Sequence, residues 1–91
     1  MNIRWTPEAF ANLENLFFHI AEDSPAAALK TVNAIYARIE ELIVFPNRGR
    51  KGREEGTREL VLSPLSYVAT YRVKDSVVEI LHIYHGAQDW K

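Results

Sequence analysis

The chain has no cysteine among its 91 residues, and only one methionine and four glycines. Without thiols there is no disulfide, no thiolate metal site and no sulfur nucleophile, so stability has to come from packing and from any bound partner, and the cytosol is the expected compartment. Long apolar runs are missing too. The opening stretch MNIRWTPEAF holds no signal-peptide core, and nothing approaches the ~20 apolar residues of a membrane span. Nor is there an excess of charge: 11 lysines and arginines face 12 aspartates and glutamates. That balance excludes a uniformly basic nucleic-acid binder and leaves only local patches to argue from. Internal repeats, low-complexity tracts, a serine–histidine–acid arrangement with diagnostic spacing and a phosphate-binding glycine loop are all absent.

What is present is an ordinary globular composition, 47% hydrophobic and 25% charged, in a chain of the size that builds one core. A single domain over residues 1–91 is expected. Residues Asn2 to Trp5 alternate as a short strand with Ile3 and Trp5 on one side. Thr6-Pro7-Glu8 reads as a helix start, because Thr6 can cap, Pro7 lacks an N–H that would be orphaned and Glu8 meets the positive end of the dipole. Phe10, Leu13, Phe17 and Ile20 then mark the inward stripe of a first helix. Ser24-Pro25 repeats the signal, and the short link before it requires an antiparallel helical hairpin. Ala28, Val32, Ile35, Ile39 and Leu42 form the stripe of the second helix, which ends near Val44 because Pro46 follows.

The segment FPNRGRKGREEGTREL, residues 45–60, gathers five of the lysines and arginines and three of the glycines. Residues 47–56 of it lack periodicity and read as a loop. Strands are expected over 57–62, 67–73 and 77–84, separated by turns at Ser63-Pro64 and Asp75-Ser76, with the last strand central because it is apolar on both faces. The fold class is α+β: an N-terminal strand, an antiparallel helical hairpin and a three-stranded antiparallel meander.

Three histidines invite a metal or acid–base reading. His82 and His85, three apart on a strand, point to opposite faces and cannot chelate one ion without a bulge, so no metal site is expected. His19 reads as a packing or surface residue. His85, at a strand end beside Gly86, is a candidate general base or a simple strand cap. The remaining constellation is cationic: Arg48, Arg50, Lys51, Arg53 and Arg58, with Arg72 on the next strand. These form either a basic rim for an acidic partner or a solvated surface in which Arg58 and Arg72 pair with Glu59 and Glu79, each pair being worth ~0.2–1 kcal/mol.

The order of features resembles the RelE/ParE superfamily of bacterial toxin–antitoxin toxins. The resemblance is carried by IRWTPEAFANLENLFFHIAEDSPAAA, IEELIVFPNRGRKG, GTRELVLSPLSYVATYRV and VEILHIYHGAQDW, which cover nearly the whole chain. It implies a small cytoplasmic toxin, without cofactor, silenced in a hetero-oligomer with an antitoxin. RelE-like members cut messenger RNA on the ribosome with cations on the sheet and a tyrosine near the C-terminus, whereas ParE-like members poison DNA gyrase and have no recognised catalytic residues. Here Tyr67 is followed by Val68 where the RelE pattern has an arginine, and the last strand leads into Gly86-Ala87-Gln88-Asp89-Trp90 instead of an arginine-rich turn and a tyrosine. Arg58, His85 and Arg72 are what a ribonuclease would have left to use. Missing donors of this kind cost ~10²–10³ in rate each, so the resemblance implies the ParE-like, non-catalytic alternative. Ala26, Ala27 and Ala28 with an outward Tyr36 either leave a groove for an antitoxin helix or only let the two helices pack closely.

Overall fold

A computed structural model describes residues 1–86. The comparison made above at Ala87 to Trp90 lies outside the described residues. The element order is β1 (Asn2–Trp5), α1 (Pro7–Ala21), α2 (Pro25–Glu40), a 3-10 turn (Glu41–Ile43), β2 (Arg50–Lys51), β3 (Arg58–Val61), β4 (Tyr67–Lys74) and β5 (Val77–His85). They form the expected α+β arrangement with one addition. The loop between α2 and β3 contains a two-residue strand, too short to leave an alternation in the sequence, so the sheet has five strands in the order β1-β5-β4-β3-β2.

Both helix starts form as their sequences require. The Thr6 hydroxyl accepts from the Ala9 N–H at 3.1 Å and the Ser24 hydroxyl from the Ala27 N–H at 3.1 Å. Thr6 also donates to the Ile80 carbonyl at 2.8 Å, so the same side chain that starts α1 ties it to β5. β1 runs parallel to β5, pairing Asn2 with Val77 through Trp5 with Ile80, while β5, β4, β3 and β2 are mutually antiparallel. The strand β5 is interior as expected, with β4 in the middle of the sheet.

The core lies between the helical hairpin and one face of the sheet. Leu13, Ile35, Ile39 and Leu42 meet Leu60, Ala69, Tyr71, Val78, Ile80 and Ile83 there. One expectation fails on α1, where Ala9 is buried and Phe10 is 48% exposed. The buried stripe is Ala9, Leu13 and Leu16, one helical position out of phase with the expected one at its start, and Phe10 is turned to the outer side of the hairpin.

Tyr71 is fully buried. Its hydroxyl donates to the Pro46 carbonyl at 2.8 Å and accepts from the Gly49 N–H at 2.9 Å, so a core side chain holds the exit of α2 and the start of the basic loop. A Cβ at Gly49 would lie 2.8 Å from that hydroxyl and 2.9 Å from the Glu59 carbonyl, which is why glycine stands there. Burial pushes the Tyr71 phenol above its ordinary pKa, so it stays a neutral donor. Tyr71→Phe would leave a donor and an acceptor unmatched and is expected to lower stability by about 1–3 kcal/mol, read as a lower urea midpoint with an unchanged slope. Gly49→Ala is expected to cost about 1–3 kcal/mol through overpacking.

Candidate functional site: an arginine-faced sheet and a histidine cleft

The strand register sorts the cationic residues by face. Arg58 is opposite Tyr71, whose other neighbour is Ile80, so Arg58 belongs to the face that packs on the helices. Its guanidinium turns back along the loop and donates to the Gly49 carbonyl at 2.8 Å and the Asn47 carbonyl at 3.3 Å. It therefore does not pair with its neighbour Glu59, whose side chain is on the other face and accepts from Arg50, with N···O distances of 3.0 and 3.1 Å. Arg48 lies elsewhere again, 2.6 Å from Glu41 and with its guanidinium 4.6 Å from the centre of the Phe45 ring. Lys51 is exposed and lines a shallow cleft with Glu54, Glu55 and Arg58. The expected rim of Arg48, Arg50, Lys51, Arg53 and Arg58 is thus divided: Arg58 braces the loop, Arg48 covers the end of α2, and Arg50 joins the open face of the sheet.

That open face carries the expected Arg72–Glu79 cross-strand pair, extended by Arg4 and by a second row that the strand pattern alone did not reveal. Arg4, Glu79 and Arg72 form one cross-strand row, with Arg72 Nε 2.6 Å and Arg4 Nη1 3.5 Å from the Glu79 carboxylate. The next row runs from Arg50 through Glu59 and Thr70 to His82. Both carboxylates are sunk beneath the arginines: the Glu79 and Glu59 side chains are 11% and 14% exposed, against 68%, 47% and 62% for Arg4, Arg72 and Arg50. Three arginines stand over two carboxylates, so the rows are net positive and an approaching molecule meets guanidinium groups first. The hydrogen bond from Arg72, helped by Arg4 and Lys74, holds the Glu79 carboxyl below its ordinary pKa. On the same face, burial and the Glu59 carboxylate push the Tyr84 phenol above its usual value, against the opposing pull of Arg50 and Arg53. A phenol hydrogen-bonded to a carboxylate is a poor proton donor to a leaving group.

The three residues left for a ribonuclease do not converge. Arg58 is on the helix side, Arg72 on the open face, and His85 opposite Tyr67, five residues along β4 from Arg72, a separation of roughly 17 Å at 3.3 Å per residue. His85 meets Tyr67 edge to face with ring centres 5.4 Å apart. His82 and His85 do occupy opposite faces of the ladder, since they face Thr70 and Tyr67 and the bulge lies before His82. Both nevertheless line one cleft with His19, because that cleft of about 610 Å³ wraps around the edge of β5. His82 Nδ1 reaches Glu8 on α1 across that edge at 3.1 Å. Among the described residues no three His, Asp or Glu groups are placed to hold a metal ion.

A second, smaller groove of about 250 Å³ lies on the outer side of the hairpin, lined by Phe10, Leu13, Phe17, Phe18, Val32 and Tyr36. Tyr36 does face outward, with its ring centre 5.2 Å from that of Trp5. The alanines are elsewhere: Ala28 is buried, and neither it nor Ala26 nor Ala27 lines this groove. The signal for the groove was Phe10 and Phe18, which stand off the buried stripe.

Residues 3–90 match the family model described as the ParE toxin of the type II toxin-antitoxin system, parDE. The chain belongs to the ParE toxin family. It is similar to a putative toxin, Y4kP, of Sinorhizobium fredii, at 40% identity over 97% of this chain and 91% of that one. Toxin RelE2 of Caulobacter vibrioides is 36% identical over 92% of this chain and 93% of its own. Among solved structures, a chain from a chromosomal ParDE system of P. aeruginosa superposes with a TM-score of 0.84 at 31% identity, covering 93% of this chain and 95% of that one. The ParE-family chain is therefore a toxin of the type II toxin–antitoxin class, and that class implies an antitoxin partner.

The arginine rows set an acid limit for the ParE-family fold. Because the folded-state pKa of Glu79 is depressed, the stabilisation from Arg72 and Arg4 is complete above the ordinary carboxylate value of 4.5 and is lost as pH falls below it through the lower folded value. Chemical denaturation at pH 7, 4 and 3 is expected to show a steeper acid loss for the wild-type chain than for Glu79→Gln.

Proposed function

We propose that this toxin acts by docking on DNA gyrase without cutting a substrate, and that a cognate antitoxin silences it by covering the surfaces described above. The observation that supports this most directly is the separation of Arg58, Arg72 and His85, because phosphodiester cleavage needs its proton donors and cations around one phosphate. Arg58 is further committed to two loop carbonyls. Docking makes no such demand. An exposed guanidinium layer over sunken carboxylates favours an acidic partner surface and opposes a basic one, and the apolar groove of the hairpin offers a seat for an amphipathic antitoxin helix. We further propose that residues 1–91 act as one domain, with no bound cofactor, in a hetero-oligomer with the antitoxin. No helix among the described residues is long and apolar enough to cross a membrane, in keeping with a cytoplasmic site of action.

A ribosome-dependent messenger RNA endonuclease is the second reading. One observation favours it: the Tyr84 phenol stands on the open face under the influence of Glu59, Arg50 and Arg53, a phenol with cations beside it. The similarity to toxin RelE2 agrees with that reading. Two assays separate the targets. Purified toxin added to gyrase and plasmid is expected to inhibit supercoiling or trap cleaved complexes, and an inert result at micromolar toxin would count against gyrase. Toeprinting on translating ribosomes is expected to show no new A-site cuts, and cuts that vanish in Tyr84→Phe or His85→Ala would establish the endonuclease.

The electrostatic part has its own measurement. Antitoxin affinity is expected to fall about tenfold or more between roughly 0.05 and 0.5 M salt, since exposed charges are screened over that range, and the fall should be shallower in Arg4→Gln and Arg50→Gln. Affinity independent of salt would leave the apolar groove as the whole interface.

A further inference from the structure

The sheet ends in two unlike edges. At one, β2 is two residues long, and both Arg50 and Lys51 are exposed and charged, a common guard against pairing with another chain. At the other stands β1, which has β5 on one side only. The Asn2 N–H donates to the Ser76 carbonyl at 3.2 Å and the Thr6 N–H to the Ile80 carbonyl at 3.1 Å. Along a ladder, both main-chain groups of a residue point to one side and those of the next residue to the other. With Asn2, Arg4 and Thr6 turned towards β5, the N–H and C=O groups of Ile3 and Trp5 point out from the edge of the sheet.

The helix side of that edge is apolar. A groove of about 440 Å³ runs between β1 and the end of α2, lined chiefly by Met1, Ile3, Trp5, Tyr36, Ile39 and Ile43, and among the described residues Glu40 alone brings a charge to its walls. Met1 and Ile43 are 47% and 42% exposed there. The opposite face of the same strand carries Asn2 and Arg4, the latter beside Glu79. An edge that is apolar below and polar above suits a strand with the same alternation, and β1 has that alternation itself. Two antiparallel copies of β1 bring outward main chain against outward main chain only when odd residues oppose odd ones. With Ile3 opposite Trp5 of the second copy, Arg4 would lie directly against Arg4, a like-charge contact that destabilises the pairing. With Ile3 opposite Ile3, each Arg4 lies instead beside an Asn2 carboxamide, whose oxygen accepts from a guanidinium. Met1 then falls opposite Trp5, on the side of the apolar groove, and the Ile3 and Trp5 N–H groups of both copies all meet carbonyls. A two-fold axis between the Ile3 residues closes the contact.

We infer that the occupant of this edge is a second copy of the chain: the toxin self-associates by antiparallel pairing of β1 with β1, centred on Ile3, with the Met1 side chain of each copy seated at the apolar groove of the other. Two five-stranded sheets become one of ten strands. The inference goes beyond the proposed target and holds for either one, because it rests on strand geometry. The pairing sets the arginine rows of both copies on one continuous face and keeps both helical hairpins on the other.

Sedimentation of the purified full chain over a concentration series is expected to show a monomer–dimer equilibrium with Kd on the order of 10–100 µM, as suits a small interface. Asn2→Lys, at an exposed position, should weaken the dimer about tenfold, since symmetry sets two lysines against two Arg4 guanidinium groups, and Asn2→Asp should strengthen it. Cross-linking reads the register, and a chain without cysteine gives no background. Asn2 and Arg4 oppose each other as a non-hydrogen-bonded pair with Cα atoms about 4.5 Å apart, within disulfide range, whereas Asn2 to Asn2 and Arg4 to Arg4 are diagonal at roughly 7–8 Å. A mixture of Asn2→Cys and Arg4→Cys chains should therefore oxidise to a mixed disulfide dimer much faster than either chain alone, with the far-ultraviolet circular dichroism of both unchanged. Three outcomes would overturn the inference: a chain still monomeric at about 1 mM, a dimer indifferent to the charge at position 2, or Arg4→Cys alone cross-linking as fast as the mixture.

Discussion

A single phenolic hydroxyl at the centre of the core decides where the basic loop can lie. Tyr71 reaches along the helix-facing side of the sheet to the Pro46 carbonyl and the Gly49 N–H. Arg58, its neighbour across the ladder, fastens the Asn47 and Gly49 carbonyls from the other side. A segment with no secondary structure at its start is thereby given two anchors. The short strand β2 can then form, and Arg50 is delivered to the open face opposite Glu59. The loop is held through its main-chain groups by the Tyr71 hydroxyl and the Arg58 guanidinium, while Arg48 and Arg50 pair with Glu41 and Glu59 and shape the surface.

The surface that results has an unusual vertical order. Carboxylates occupy the lower layer and arginines the upper one, in rows fixed by strand register. Exposed ion pairs of this kind add little to stability, typically ~0–1 kcal/mol. Their value lies in presenting donors: each guanidinium has five N–H groups and spends only one or two on its glutamate. A balanced formal charge for the whole chain is therefore compatible with a locally positive face.

Much of the fold could be read from the sequence because its signals are local. Thr6-Pro7 and Ser24-Pro25 start the helices where they should, Pro46 follows the end of the second one, and the last strand is apolar on both faces as an interior strand must be. The misses have a common cause in distance along the chain. Ala9 and not Phe10 enters the core, because both fit the helical period with Leu13 and only the packing of α1 on the sheet chooses between them. Arg4, Glu79 and Arg72 become one row only through the β1–β5–β4 register, and the three histidines share a cleft only because α1 lies along β5. Arg58 was legible as a cation and not as a brace, since an acceptor such as a loop carbonyl leaves no mark in the pattern of charges. Two strand residues in β2 are too few for any alternation to show.

The pairing of β1 with β5 has a consequence for how the molecule comes into being. Residues 2–5 have their partners at 77–80, so the first strand to be synthesised stays without a neighbour until nearly everything between has been made. The helical hairpin can assemble early, but the sheet on which it rests cannot close until β5 arrives, and contacts of such long range are slow to form. The sheet, and every surface built on it, is therefore complete only after β5 has been synthesised.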